Sequence, residues 1–453
     1  MRHAYDVPAR SAATLGSASG CADRRERPPG VSTLDHRLTR PSRTSLLRAL
    51  DPDARRLLHA TIRAAETRRV TLWAVGGALR DCAAGLPVFD LDLALDVSAH
   101  ADVLAFATAV ADATGGHAAA PAPALGTAEV TAAGTVVDVA ALRRERYARP
   151  GVLPTVTLGA AIEEDLGRRD FSVNAMALAL TGPRRGAFVD PERGLDDLAA
   201  RRLRVLHSRS FADDATRLWR GARTAAQHRL RPDHATASLI AGAAPWLDTI
   251  SGERLYAEFR HSAHRPHFLA TLRLAERWGV LAATAPGFAL APEARRALGA
   301  HPAPHPDALA AALVLAPLAD PARVLARLRP PRDVRIAVGD AARLLEAARA
   351  GVDPADTAAL EALVATGALA RRAARWLAPA DVRPLARALT RWERTRPHLD
   401  ARALIALGVP PGPELGRALA RLRRERYLGN LRTVADARRA AGEEIACARR
   451  GRQ

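Results

Sequence analysis

The chain has 453 residues, 48% of them hydrophobic and 25% charged, and a formal net charge of +19. That is room for roughly two to four structural units and a sizeable core. All 67 basic residues are arginine, and the excess favours a polyanionic partner, RNA or DNA rather than a membrane surface. Cys21, Cys82 and Cys447 are scattered and form no C-x-x-C. That spacing excludes a disulfide framework or a cysteine zinc site and fits a reducing cytosol, so a cytoplasmic protein is expected. The longest apolar run, Ala308–Ala319, contains Pro317 and is too short to span a bilayer.

In chain order, residues 1–44 are rich in Arg, Ser, Gly and Pro and lack the apolar stretch of a signal peptide. They read as a disordered basic tail, or as a start codon placed too early. Ser45–Thr67 has helical spacing, with Leu46, Leu47, Leu50, Leu57 and Leu58 on one side. The stretch that carries chemistry is Leu72–Asp96, LWAVGGALRDCAAGLPVFDLDLALD. Leu72–Val75 reads as a buried strand that ends in Gly76-Gly77, and a helix bearing Arg80 and Asp81 follows. After the Gly85-Leu86-Pro87 turn, a second strand is predicted over Phe89–Leu95. Alternation sets Asp90 and Asp92 on one face and Leu91, Leu93 and Leu95 toward the core.

Two acids on one face repel each other and cost desolvation unless a cation sits between them. A hard divalent ion, magnesium, suits their oxygen ligands. Glycines allow backbone N–H groups to approach an anion closely, and Arg80 stands beside them. A phosphate site next to a carboxylate-held metal is the equipment of phosphoryl transfer. A lone Gly-Gly is usually a turn and a lone D-x-D a solvated edge. Their combination on adjoining elements supports the functional reading.

His100–Gly115 is predicted helical, and Gly126–Val130 with Thr135–Ala140 reads as a hairpin. The second of these strands holds Asp138, either a third acid for the same site or an exposed strand acid. Arg143–Gly151, RRERYARPG, reads as a mobile loop near the site. In RRDFSVNAMA, Arg168, Arg169, Asp170 and Asn174 sit within an apolar run. They would bind phosphate or ribose, or form an internal ion pair. Asp190–His207 supplies a turn, a short helix and a strand that close a first domain.

A helix is predicted from about Ala212, with Asp213 and Asp214 at its dipole-favoured start. Asp214 and Arg217, three apart, would meet on one face that Arg220 and Arg223 continue. An ordinary capped surface helix has the same pattern. His261, His264 and His267 are interrupted by Pro266, which argues against a metal site. Beyond about residue 275 the pattern is helical, with Leu309, Leu313, Leu325 and Leu328 as core candidates. Gly412-Pro413 precedes a helix at Glu414–Leu422, either a phosphate-holding turn or a helix–helix corner.

GGALRD with DLDLAL, RRDFSVNAMA, DPERGLDDLAARRLRVLH and FADDATRLWRGAR, in that order, resemble the bacterial (class II) tRNA nucleotidyltransferase and poly(A) polymerase family. SGERLYAEF at Ser251–Phe259 and the terminal LGVPPGPELG extend the likeness. The resemblance implies an α+β fold: a polymerase-β-type head built on a small mixed sheet with helices, then an all-α neck, body and tail. Residues 45–207 would form the head, 208–275 a neck with base recognition, and 276–453 a body and tail holding tRNA. It further implies two magnesium ions on Asp90 and Asp92, with Asp138 as a third acid. Gly76, Gly77 and Arg80 would hold the triphosphate, Arg169 the nucleotide and Asp170 its ribose. Asp214 and Arg217 would read the base edge, and Arg220 and Arg223 would hold base and phosphates.

Three positions depart from the family pattern. Asp213-Asp214-Ala215 stands for EDP, Ser172 for threonine in RRDFT, and no G-R-R-F follows Asp96. The last departure favours tRNA as substrate over a poly(A) polymerase reading. ATP and CTP are the expected donors. CCA, CC or A addition alone stays open, as does oligomeric state. A catalytically dead RNA-binding relative would be free to lose Asp90 and Asp92, and both are present.

Overall fold

The protein is described by a computed structural model covering residues 38–120 and 123–450. It divides into two compact units: one runs through Ser262 and includes Ala270–Thr284, the other comprises Ala263–Leu269 and Ala285 onward. Residues 1–37 of the expected tail lie outside the described residues. Its last part is already part of the fold. Thr39 N donates to Ala83 O at 3.2 Å, and Arg40 donates to Phe188 O and stacks on that ring.

The first unit opens with α1 (Arg43–Ala49) and α2 (Pro52–Arg68), where one helix was expected. Asp51 is the reason for the break: its carboxylate caps Asp53 N and Ala54 N, with Pro52 at the first helical position. Next come β1 (Leu72–Val75), α3 (Gly77–Ala83), β2 (Leu91–Leu95) and α4 (His100–Thr114). Four strands follow: β3 (His117–Ala119), β4 (Thr127–Ala132), β5 (Thr135–Ala141) and β6 (Arg143–Arg146). Then come β7 (Thr155–Leu158), α5 (Ile162–Gly167), β8 (Ala177–Ala179), β9 (Phe188–Val189), α6 (Gly194–Ala199) and β10 (Arg202–Leu203). The remaining named elements are α7 (Ser210–Asp213), α8 (Arg217–His228), β11 (Arg231–Pro232), α9 (His234–Gly242) and α10 (Gly252–Ala263).

The main sheet is mixed, in the order β3-β4-β5-β2-β1-β8-β9. Only β2 and β5 pair parallel within it; the other pairs are antiparallel. Strand alternation separates its faces. Leu91, Leu93 and Leu95 join Val137, Val139, Leu72 and Ala74 in the large core under α1, α2 and α4. The opposite face carries a smaller cluster of Trp73, Val75, Ala94, Ile162, Leu166 and Ala177. The functional acids emerge on this second face.

Two strand expectations change. β2 begins at Leu91 rather than Phe89, whose side chain is 57% exposed, so Asp90 precedes the strand. The first four residues of the stretch read as a mobile loop are strand: β6 pairs antiparallel with β7, leaving residues 147–154 as the connection. The expected β4–β5 hairpin is present, and its turn places Ala133 and Gly134 at positive φ.

The second unit is helical throughout its described residues, including Pro292–Ala300, Asp307–Leu315, Arg332–Ala350, Ala368–Leu377, Pro379–Arg394 and Pro413–Leu428. The apolar run that was too short for a membrane is its central helix. Residues Ala308 to Leu315 are all buried, as a helix apolar on every side requires. Leu309, Leu313 and Leu328 are core, whereas Leu325 is half-buried and Val324 takes the inner position. His264 pairs with Asp307 at 2.6 Å. No helix among the described residues is long and apolar enough to cross a membrane.

Candidate active site

Register assembles the acidic row. Asp92 is directly opposite Asp138 across the parallel β2–β5 pair, and Asp138 is opposite Glu129 across β5–β4. On the other side, Asp92 faces Val75 of β1. Directly opposed residues share a sheet face with Cβ atoms about 5 Å apart, and like charges there are destabilising. Burial pushes the Asp92 carboxyl up, while Arg169, Arg220 and Arg80 pull it back. Burial raises Glu129 as well. A row of acids kept against this cost fits a divalent cation.

Among the described residues no group of three or more His, Cys, Asp or Glu side chains is gathered tightly enough to hold an ion alone. Asp92 is half-buried and Asp138 exposed on neighbouring strands, and such carboxylates could hold a magnesium ion only with water and substrate phosphates as its further ligands.

The anion cradle lies on the Asp92 side. Gly76 adopts φ +74°, and a Cβ built there would be 2.8 Å from Arg169 Nη1 and 3.6 Å from Asp92 Oδ2. Glycine, Arg169 and Asp92 thus converge on one spot. Arg169 is aimed by Asp165, which accepts from its Nη2 at 3.0 Å and also from Arg168 and Arg143 N. The helix α3 has seven residues, too short for its dipole alone to define an anion site, and Arg80 and Arg169 supply the positive charge beside the glycines. Gly76→Ala is expected to lower stability by about 1 kcal/mol through its positive φ. It should also displace Arg169 and raise the KM for nucleotide, which steady-state kinetics with CTP and ATP will show.

Arg80 is 8% exposed and lies against Gly77. Its Nε and Nη2 engage Asp81 Oδ1 at 2.9 and 2.8 Å, and its Nη1 donates to Asn174 Oδ1. Asn174 Nδ2 in turn donates to Asp170 Oδ1 at 2.9 Å. Asp170 also accepts from Phe171 N and pairs with Arg220 Nη2 at 2.9 Å. Burial alone would raise Asp170; Arg220 and Asn174 outweigh it and lower the carboxyl, while Asp170 raises Arg220. Asp170, expected at the ribose, is 3% exposed: its Oδ1 takes the Phe171 and Asn174 hydrogen bonds, and its Oδ2 pairs with Arg220.

The helix expected from Ala212 is broken. Asp214 has φ −145°, extended, at the end of α7, and α8 starts at Arg217. Asp214 accepts from Thr216 N and Oγ1 and pairs with Arg254 Nη2 at 2.9 Å. Arg217, 4% exposed, donates to Ser210 Oγ at 2.7 Å and Arg168 O at 2.9 Å. The two residues are neighbours through the backbone, Arg217 N to Asp214 O at 3.1 Å, rather than an ion pair on one helical face. Arg223 pairs with Glu258 of α10 at 2.8 Å.

Arg254, His228, Asp165 and Glu129 were not singled out from the sequence. Glu129 had a legible signal, since alternation in Gly126–Val130 places it opposite Asp138. Arg254 lies within the SGERLYAEF motif. His228 had none, because its partner Asp81 is 147 residues away.

Asp81 is buried, which raises its carboxyl, but Arg80 and His228 more than offset this and bring it down from 3.8 to about 2. A carboxyl depressed in the folded state contributes stability that is complete above pH ~4 and lost as pH falls toward 2. The shift corresponds to about 2 kcal/mol. Asp81→Asn should therefore be less stable by that amount at pH 7, and denaturant titrations at pH 3 should show a smaller gap.

A family model described as the poly A polymerase head domain matches residues 72–204. The CC-adding tRNA nucleotidyltransferase of Deinococcus radiodurans is 33% identical over 369 residues, covering 81% of this chain and 87% of that enzyme. The chain belongs to the bacterial class II tRNA nucleotidyltransferase family. A second member, the A-adding tRNA nucleotidyltransferase of Halalkalibacterium halodurans, is 40% identical over 200 residues. That alignment covers 43% of this chain, which spans about half (46%) of the relative's length. The fold is shared with the CCA-adding enzyme of Thermotoga maritima complexed with tRNA, at a TM-score of 0.61 and 21% identity, over 89% of this chain and 98% of that one. Nucleotidyltransferases of this family generally use divalent metal ions, and the acidic row above is where this member would hold one.

Proposed function

We propose that the chain adds C, A or both to the 3′ end of tRNA from CTP and ATP, without a nucleic-acid template, releasing pyrophosphate in the cytoplasm. The observation that carries this is the Asp92–Asp138 register beside the Gly76–Arg169 cradle. Two magnesium ions on Asp90 and Asp92 would supply the lowered pKa of the attacking 3′-hydroxyl and the neutralisation of the leaving pyrophosphate. Arg80 and Arg169 hold the triphosphate in line. Asp214 and Arg217 select the base, each preset by its protein partners. C and A both present an amino donor beside a ring-nitrogen acceptor, which an Asp and an Arg can satisfy together. U and G present the reverse pattern and leave those groups unpaired, at high cost in a dry site.

Residues 208–275 serve as the neck and 276–453 as the tRNA-holding body and tail. Support comes from an open groove of about 790 Å³ in the second unit, lined by Arg375, Arg383, Arg387, Arg391, Arg394 and Arg426 and by no acid. Arg383→Glu with Arg387→Glu should weaken tRNA binding at least tenfold and flatten its salt dependence. Filter binding at several salt concentrations reads both effects.

The deciding assay measures magnesium-dependent incorporation of labelled CTP and ATP into tRNA lacking CCA, tRNA ending in CC, and unstructured RNA. C followed by A on the first means a CCA-adding enzyme. C alone, or A alone on the CC-ending tRNA, means a specialist. Long A tails on unstructured RNA mean a poly(A) polymerase. No incorporation with any acceptor refutes the proposal.

A further inference from the structure

Arg80, expected to hold the triphosphate, is itself held from behind by a residue at the far end of α8. His228, 5% exposed, places Nε2 at 2.8 Å from both Arg80 Nε and Asp81 Oδ1. With a proton on Nε2 the ring donates to Asp81; without it the ring accepts from the Arg80 Nε–H. Either tautomer ties the ring to the Arg80–Asp81 pair. Gln227 Nε2 donates to Asp81 Oδ2 at 3.2 Å, so the last turn of α8 grips both oxygens of this carboxylate. Asp81 in turn takes the Nε and Nη2 edge of Arg80. An arginine on a long flexible stem loses rotamer freedom when its guanidinium is fixed in advance, and a ligand then binds without that cost.

We propose that His228, acting through Asp81, is a positioning residue that pre-orients Arg80 for the triphosphate of the incoming nucleotide. This rests on the nucleotidyl-transfer reading for the identity of the ligand. The helix that supplies Arg220 to Asp170 at its start thus also fixes Arg80 from its end, so α8 sets both ends of the chain Arg80–Asn174–Asp170–Arg220.

The test compares the native protein with His228→Ala and His228→Gln. Equilibrium binding of CTP and ATP is measured without RNA, kcat and KM with tRNA, and thermal stability for each variant. His228→Ala is expected to weaken nucleotide binding and raise the nucleotide KM about tenfold, the loss of one well-made polar contact. Its kcat should stay within twofold of native and its KM for tRNA unchanged. His228→Gln, whose amide can both donate and accept, should recover most of the affinity. Unchanged nucleotide binding in a folded His228→Ala protein overturns the inference. So does a stability loss equal in the two variants with no difference in affinity between them. If the native protein binds nucleotide but incorporates none, the transfer reading fails while the binding comparison still decides the role of His228. If it binds none, the inference is overturned.

Discussion

Asp92→Asn is expected to abolish nucleotide addition, lowering kcat/KM at least about a thousandfold, while leaving the protein as stable as before or about 1 kcal/mol more so. The two signs share one cause. Asp92 stands in a row with Asp138 and Glu129 on adjoining strands, and its burial disfavours the charge that the chemistry needs. Asparagine keeps the shape, removes one charge from the row and cannot replace an anionic ligand. Labelled-nucleotide incorporation and a thermal melt on the same sample test both halves. Activity within tenfold of native would remove Asp92 from the metal site, and a large loss of stability would make it a structural acid.

Arg220→Ala should destabilise by about 2–3 kcal/mol, because it leaves the buried Asp170 carboxylate without its paired charge. Asp170 is 3% exposed and would keep a charge served by Asn174, the Phe171 N–H and the more distant Arg217. Asp170→Asn should cost less, about 1–2 kcal/mol. The Arg220 side chain is 43% exposed and can turn toward water when its partner is gone. Both variants should also raise the nucleotide KM, because Asn174 hands the disturbance on to Arg80. Chemical denaturation of the two proteins gives the order, and a larger loss for Asp170→Asn would refute the account.

Much of the head was legible because its signals are local. A short apolar run marked β1 and a β-branched run marked β5, and the core faces of Leu91, Leu93 and Leu95 in β2 followed from alternation alone. The glycine pair announced a close backbone approach, and Gly76 proves to be where Arg169 and Asp92 meet. Errors fell where a neighbour overrode the local pattern. Asp51 and Pro52 split a leucine-periodic stretch into two helices. RRER looked like loop because nothing nearby says that Thr155–Leu158 will pair with it. The strands β3, β8 and β9 are two or three residues long, shorter than any periodicity that could reveal them.

By itself the sequence held the order of the motifs, and their resemblance to the family implied the fold class and the acids and arginines of the candidate site. Residue type and spacing within single elements settled the apolar and acidic faces of its strands, because side-chain direction is set by the backbone repeat. Only the tertiary structure decided which charge neutralises which. Asp214 answers to Arg254 rather than Arg217, Asp170 pairs with Arg220, and His228 joins Arg80 at Asp81. Arg254, Arg220 and His228 lie 40 to 147 positions from these acids. Electrostatic partners are chosen by distance in space, and that distance exists only once sheet and helices have packed.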